Sequence, residues 1–475
     1  MSVNRPHVLI ITMDELRKDA FGCYGSDFVA TPNIDRIAQQ GIVYDRAYAA
    51  SPICLPSRAA IATGLYPHNN GTYSNVRDCP LNPELPNIYK YFRDAGYTTA
   101  HIGKCHYSSI PIEQIRPDQT LPYDKFRNFY LGLGIDHLDL QDDKNVSVWF
   151  KDDFSKELDE AGYLDAYRAA IWDRSNMSVF DFPGPDDMHP DAWVGRKARS
   201  FMESRDPAKP LFMWVSFSGP HWPFDPPSKY LDRVRPDTLG PGRYQPGEFD
   251  DPRRIHYSSY HGPCGIDACL FAPDNACKNF TDDYLRSVRH HYYANVALID
   301  DEIGAILDLA NEQFGENILI IVTCDHGEML GNHRLWGKNN CGYEDVLNIP
   351  FIVKMPGTPA PGRSDEFVSH VDVLPTCLAA ADIDQPRSDG RNLAEPVAEQ
   401  GRKFAFSESE NFIAITDGRY KYIHFRRDGV VMPELFDLRA DPDEFVNLAH
   451  EPDYAEIRTR LQSVIIELFM DALIP

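Results

Sequence analysis

Basic residues are in short supply. The chain carries 47 lysines and arginines against 71 aspartates and glutamates, a formal net charge of -24 over 475 residues. Nucleic-acid binding rests on a basic stripe, and none is visible, so no nucleic-acid partner is expected. An anionic small molecule is not excluded, because a few cationic side chains gathered in a cleft outweigh a distant surface field. Long apolar runs are also missing, and no stretch approaches the roughly 20 residues of a membrane span. The first apolar run, His7 to Thr12, is short and leads into Asp14 and Glu15. It lacks a small-residue cleavage site and reads as a core strand, not a signal peptide. Cysteine is sparse, with ten residues mostly scattered singly. Only Cys264, Cys269 and Cys277 cluster, and a zinc site there would need a fourth ligand and tighter spacing, so free thiols are expected. Internal repeats and low-complexity tracts are absent. These shortages set the expectation of a cytoplasmic protein with no membrane partner.

What is present is the composition of a globular chain with a sizeable core, 43% hydrophobic and 25% charged. Four apolar runs read as buried parallel strands, each ending in a polar cluster. His7 to Thr12 leads to Asp14, and Tyr97 to Ile102 leads to Lys104 and His106. Leu211 to Phe217 leads to His221, and Ile318 to Thr323 leads to Asp325 and His326. Helices fall between them. Thr31-Pro32-Asn33 opens one with a cap residue and proline. Another, about Asp282 to Asn311, keeps Val296, Ile299, Ile303, Ile306 and Ala310 on one face. Alternating strands and helices predict an α/β sandwich on a large, mostly parallel sheet, with ligands at the carboxyl ends of the strands. Residues 1–385 form the expected catalytic domain. Its 107–206 stretch, without clear periodicity, reads as insertions around the cleft mouth. Residues 386–475 read as a smaller carboxyl-terminal α+β subdomain, with short antiparallel strands and a final helix from about Tyr454 to Leu473.

Cys54 precedes Pro56, which sits where a helix can start; Ser57 to Thr63 reads as that helix, ended by Gly64. A lone cysteine is ordinarily inert packing. At a helix amino terminus, however, the backbone N–H groups and the dipole favour an anion. Arg58 would project from the first turn and can help hold a charged oxygen. Its spacing from Cys54 is too short for a cysteine-dependent phosphatase loop.

Several motifs recur in order: Cys54-Leu55-Pro56-Ser57-Arg58 with Thr63-Gly64; Gly96-Tyr97-Thr98-Thr99 with Ile102-Gly103-Lys104-Cys105-His106; Pro220-His221-Trp222-Pro223; Asp325-His326-Gly327-Glu328; Leu335-Trp336-Gly337-Lys338; and Glu434-Leu435-Phe436-Asp437. This ordered set resembles the formylglycine-dependent sulfatase family of the alkaline phosphatase superfamily, over most of the chain except 107–206. The fold it implies is the alkaline-phosphatase-like α/β/α sandwich.

The resemblance implies that Cys54 is oxidised to formylglycine (3-oxoalanine) by a formylglycine-generating maturation enzyme. It also implies one divalent metal ion held by Asp14, Glu15, residue 54, Asp325 and His326. His326 stands where the family usually has asparagine, a metal-site pattern similar to choline-sulfatase-like and phosphonate-monoester-hydrolase-like members. Manganese is thereby favoured beside calcium, with magnesium a further option. In the implied mechanism the hydrated aldehyde attacks the sulfur of a small-molecule sulfate ester. Lys104 and Lys338 neutralise the sulfate oxygens, and His221 assists the leaving alcohol or phenol. His106 takes the proton that lets sulfate depart, and Arg58 supports the nucleophile. Asn75 and, more weakly, Arg77 are candidate substrate contacts. The function expected is hydrolysis of an aryl or alkyl sulfate monoester. The alternatives are a phosphonate monoester or phosphodiester hydrolase, or a binding protein with unconverted Cys54. A homo-oligomer, dimer or tetramer, is expected.

Overall fold

The computed structural model describes residues 5–109, 120–173, 175, 177–262, 276–338, 341–357, 361–385, 387–395 and 401–472. Eight strands form the main sheet: β1 (His7–Asp14), β2 (Ile42–Tyr48), β3 (Thr98–Gly103), β4 (His137–Leu140), β5 (Leu211–Pro220), β6 (Ile318–Cys324), β7 (Phe351–Lys354) and β8 (Gly362–Ser369). Their order is β4-β3-β5-β1-β6-β7-β2-β8. Only β7 runs antiparallel to its neighbours. The apolar runs of β1, β5 and β6 do not alternate because both faces of these central strands are buried.

Helices cover both faces. α1 is Pro32–Ala38, α2 is Cys54–Thr63, α3 is Ile88–Asp94, α4 is Pro190–Ser204, α5 is Asp282–Phe314 and α6 is Val373–Ala380. α4 and α5 pack on each other and on β5, with α1 against α5; α2, α3 and α6 pack together, α3 on β3 and α6 on β6. All five residues assigned to the inner face of α5 are buried. The expected cap of α1 is different in the structure. Thr31 makes no cap bond, and its hydroxyl accepts from the Gly22 N–H at 2.9 Å. Instead Asp300 of α5 accepts the N–H groups of Asn33 and Ile34 at 3.3 and 3.0 Å, so a tertiary carboxylate closes the helix.

The 107–206 stretch is not only cleft-mouth insertion. It supplies edge strand β4 and the 15-residue α4, whose Val194, Ala198 and Met202 are buried. Its strand is short and alternating because it lies at the edge, so no continuous apolar run marks it.

A second sheet, antiparallel in the order β12-β11-β10-β9, comprises β9 (Ala405–Ser409), β10 (Phe412–Thr416), β11 (Tyr420–Arg427) and β12 (Val430–Asp437). α7 (Ala455–Ala472) lays Leu461 and Ile465 on its Ile415, Tyr422 and Leu435, while Ile466 stays 60% exposed. Of the clustered cysteines, Cys264 and Cys269 lie outside the described residues, and Cys277 is buried. Among the described residues no helix is long and apolar enough to cross a membrane.

Candidate active site

Four strand ends and the first turn of one helix meet at one edge of the main sheet. β1 delivers Asp14 and then Glu15, which turns away at φ 59°; β6 is followed by Asp325 and His326. β3 ends at Gly103, φ 99°, immediately before Lys104. A Cβ at Gly103 would run into the Ser216 carbonyl of β5, so only glycine permits this close approach. β5 leads to His221, and α2 points its first turn at the same spot.

Cys54 is the first residue of α2 and only 1% exposed. Its Sγ lies 3.2 Å from His326 Nε2 and 3.7 Å from Asp14 Oδ1. His326 Nε2 is also 3.7 Å from Asp14 Oδ1 and from Asp325 Oδ1. Donor atoms of Asp14, Cys54, Asp325 and His326 all lie within 4.8 Å of one another. His326 Nδ1 sits 2.9 Å from the Gly327 carbonyl, which fixes the proton there and turns the Nε2 lone pair into the cluster. Two carboxylates and an oriented imidazole around one point suit a divalent cation. Glu15 falls outside this group of four. Its Oε1 pairs with Lys338 and its Oε2 is 3.8 Å from His221 Nε2.

Cationic side chains balance the carboxylates. Arg58 Nε donates to Asp325 Oδ2 at 2.9 Å, and its Nη1 donates to Ser216 Oγ at 2.7 Å and to the Lys104 carbonyl at 2.8 Å. Lys104 Nζ pairs with Asp14, and with Asp143 Oδ2 at 2.6 Å. Burial pushes Asp14 up, but Lys104, His221 and Arg58 outweigh it and hold the carboxyl well below its ordinary range. Burial and Asp14 likewise raise the Cys54 thiol, yet Lys338, Lys104 and His326 bring it down to about 6. Burial, with Lys104, lowers His106 to about 4. Burial, with Lys338, lowers His221. His221 Nδ1 lies 2.6 Å from the Trp222 carbonyl, leaving Nε2 for the site.

Cys54, Arg58, Lys104, His221, Lys338, Asp14, Asp325 and His326 are thus interlinked, with Glu15 joined through Lys338. The backbone N–H of His106, at φ 48°, is anchored at 2.7 Å to Asp142. Asn75 serves the helix: its Oδ1 accepts the Leu55 N–H at 3.0 Å, at the start of α2. Arg77 is exposed and paired with Glu410.

Three consecutive residues after β4 escaped the sequence reading. Asp142 accepts the N–H groups of Cys105 and His106 at 2.9 and 2.7 Å. Asp143 holds Lys104 and lies 4.0 Å from His221 Nδ1. Lys144 Nζ reaches Asp225 at 2.9 Å and the Pro223 carbonyl at 3.4 Å, tying down the loop that carries His221. The polar run Gln141 to Asn145 was the available signal, and it follows a strand too short to stand out.

The Sulfatase family model matches residues 6–383, and the model for the N-sulphoglucosamine sulphohydrolase C-terminal region matches residues 331–471. An arylsulfatase of Clostridium perfringens is 28% identical, over 98% of this chain and 94% of its own. A choline-sulfatase of Rhizobium meliloti is 27% identical, over 95% and 84%. The crystal structure of a phosphonate monoester hydrolase of Agrobacterium radiobacter superposes with TM-score 0.80 at 24% identity, covering 98% of this chain and 96% of that one. With a family model spanning most of its length and this fold, the chain belongs to the sulfatase family of the alkaline phosphatase superfamily.

Proposed function

We propose that the protein hydrolyses a sulfate monoester of a small alcohol or phenol, using a nucleophile made from Cys54 by oxidation to formylglycine. The carrying observation is the placement of Cys54 at a helix amino terminus, within reach of Asp14 and His326 and enclosed by Lys104 and Lys338. The thiol marks the position that the hydrated aldehyde would take. Asp14, Asp325 and His326 would hold a divalent cation, with Glu15 alongside, and such a cation supplies Lewis-acid polarisation and charge neutralisation there.

Each side chain then has a task set by its surroundings. Lys104 and Lys338 are ammonium groups in a buried pocket, where they neutralise sulfate oxygens far more strongly than in water. Arg58 keeps Asp325 in place and links it to β5 through Ser216. His221 faces the site through Nε2, where with the Lys338 ammonium it can assist the departing oxygen; burial and Lys338 disfavour its imidazolium, so the ammonium is the group that has a proton to give. His106, held neutral by burial and Lys104, is a base for the hydrate's second hydroxyl.

Two measurements test this. Peptide mass spectrometry of protein from a host with the maturation enzyme should find residue 54 as the aldehyde; an intact, alkylatable thiol would reject the nucleophile. Sulfate and phosphonate esters assayed side by side, with Cys54→Ala as control, should show Cys54-dependent turnover that favours sulfate. A preference for phosphonate esters would reverse the substrate assignment.

A further inference from the structure

Four buried carboxylates pair with the cationic side chains of the site, and three have a place already: Asp14 and Asp325 in the cation group, Glu15 with Lys338. Asp143 is the fourth. Its side chain is 5% exposed, with Oδ2 2.6 Å from Lys104 Nζ and Oδ1 4.0 Å from His221 Nδ1. Polar atoms of Asp14, Asp143 and His221 lie within 4.8 Å of one another, so Asp143 faces the groups assigned to the ester. Side chain and backbone are both held, since the Asn145 N–H donates to Oδ1 at 3.1 Å and the Asp143 N–H donates to Ser147 Oγ at 3.3 Å. A carboxylate beside the lysine that meets an anion works against anion binding, unless it sets how much negative charge the pocket accepts.

We propose that Asp143 is a specificity residue that tunes the pocket to ester head groups bearing a single negative charge, and so discriminates against doubly charged phosphate monoesters. The inference rests on the function proposed above and adds its substrate class. Asp14, Glu15, Asp325 and Asp143 are opposed by Arg58, Lys104 and Lys338. Among these seven directly paired groups, with the histidines neutral, this leaves one negative charge, which a divalent cation would convert to one positive charge. A sulfate monoester cancels it. A phosphate monoester dianion leaves a net negative charge in a site shielded from water, where such an excess is costly. Without Asp143 the balance would instead match the dianion.

The test reads binding in manganese-loaded Cys54→Ala protein at about pH 8, where a phosphate monoester is almost fully doubly charged. The probes share one leaving group: 4-nitrophenyl sulfate and 4-nitrophenyl methylphosphonate, each singly charged, and 4-nitrophenyl phosphate, doubly charged. With Asp143 present, the sulfate and methylphosphonate should bind alike and the phosphate about tenfold or more weaker. Phosphate binding as tightly as methylphosphonate would overturn the proposal without any further variant. Adding Asp143→Asn should close the gap between phosphate and the other two by about tenfold, while Asp143→Glu keeps it. Equal weakening of all three by Asp143→Asn would make Asp143 merely a support for Lys104 and would likewise overturn it. Turnover by the Cys54 enzyme is scored separately. Failure to hydrolyse any sulfate ester removes the proposed function, whereas the binding ratios decide the role of Asp143.

Discussion

Cys54 Sγ and His326 Nε2 lie 3.2 Å apart, and the histidine is turned towards the cysteine by the contact of its Nδ1 with the Gly327 carbonyl. An imidazole donor suits manganese, whereas calcium prefers an all-oxygen shell. His326→Asn is therefore expected to lower manganese affinity relative to calcium by about tenfold or more. Metal content after dialysis against equal concentrations of the two ions checks this, and an unchanged ratio would take His326 out of the cation's shell.

Arg58 is enclosed with its partners, Asp325 at 2.9 Å and Ser216 at 2.7 Å. Arg58→Met would leave the Asp325 carboxylate buried without its counter-charge, at a cost of about 3–5 kcal/mol. Arg58→Lys is expected to recover little, because an ammonium cannot reach the carboxylate, the hydroxyl and the Lys104 carbonyl together. Urea midpoints of the three proteins measure the effect. A loss under about 1 kcal/mol would mean that the pair is effectively solvated.

Gly103→Ala tests the approach of β3 to β5. The left-handed φ and the nearby Ser216 carbonyl both oppose a side chain, so stability should fall by more than about 1 kcal/mol. Lys104 follows directly, and kcat is expected to fall by more than the loss of folded protein accounts for. A fully folded, fully active variant would show that the strand simply shifts.

Asp14, His221 and Asp325 were legible because each ends or follows a central strand buried on both faces, and such strands announce themselves as largely apolar runs. Asp143 follows β4, an edge strand of four residues with alternating burial, which looks like loop in one dimension. Asn75 was read as a candidate substrate contact, and the fold adds that its Oδ1 accepts from Leu55, a partner twenty positions earlier that periodicity does not reveal. The expected Thr31 cap of α1 is replaced by Asp300, from a helix more than 260 residues away. Periodicity reports which face a segment buries; it carries no information on which distant polar group completes a helix end. The expected carboxyl-terminal helix is present as Ala455–Ala472, and it packs Ile465 and Phe469 on its own subdomain while Ile466 is exposed.

His68, in the short helix Pro67–Asn70, and Glu408, on β9 of the second sheet, form a pair from which a pH-dependent stability is expected. Glu408, on β9, accepts the His68 backbone N–H at 2.8 Å and meets its Nδ1 at 2.6 Å, while the ring lies tilted against Phe469 with centroids 4.9 Å apart. Burial opposes the charged ring, but the hydrogen bond and charge of Glu408 outweigh it, so His68 titrates above its ordinary value. A histidine raised in the folded state binds its proton more tightly there than in the unfolded chain. The contribution is therefore complete below the unfolded value of about 6.5 and is lost as pH rises through the folded one. His68→Asn keeps the backbone bond and removes the titrating ring. The wild-type advantage in Tm over this variant should be largest near pH 5.5 to 6 and shrink steadily towards pH 8 or above. An advantage that is flat across this range, or that grows with pH, would show that the ring is neutral in the folded protein and that the contact is held by packing alone.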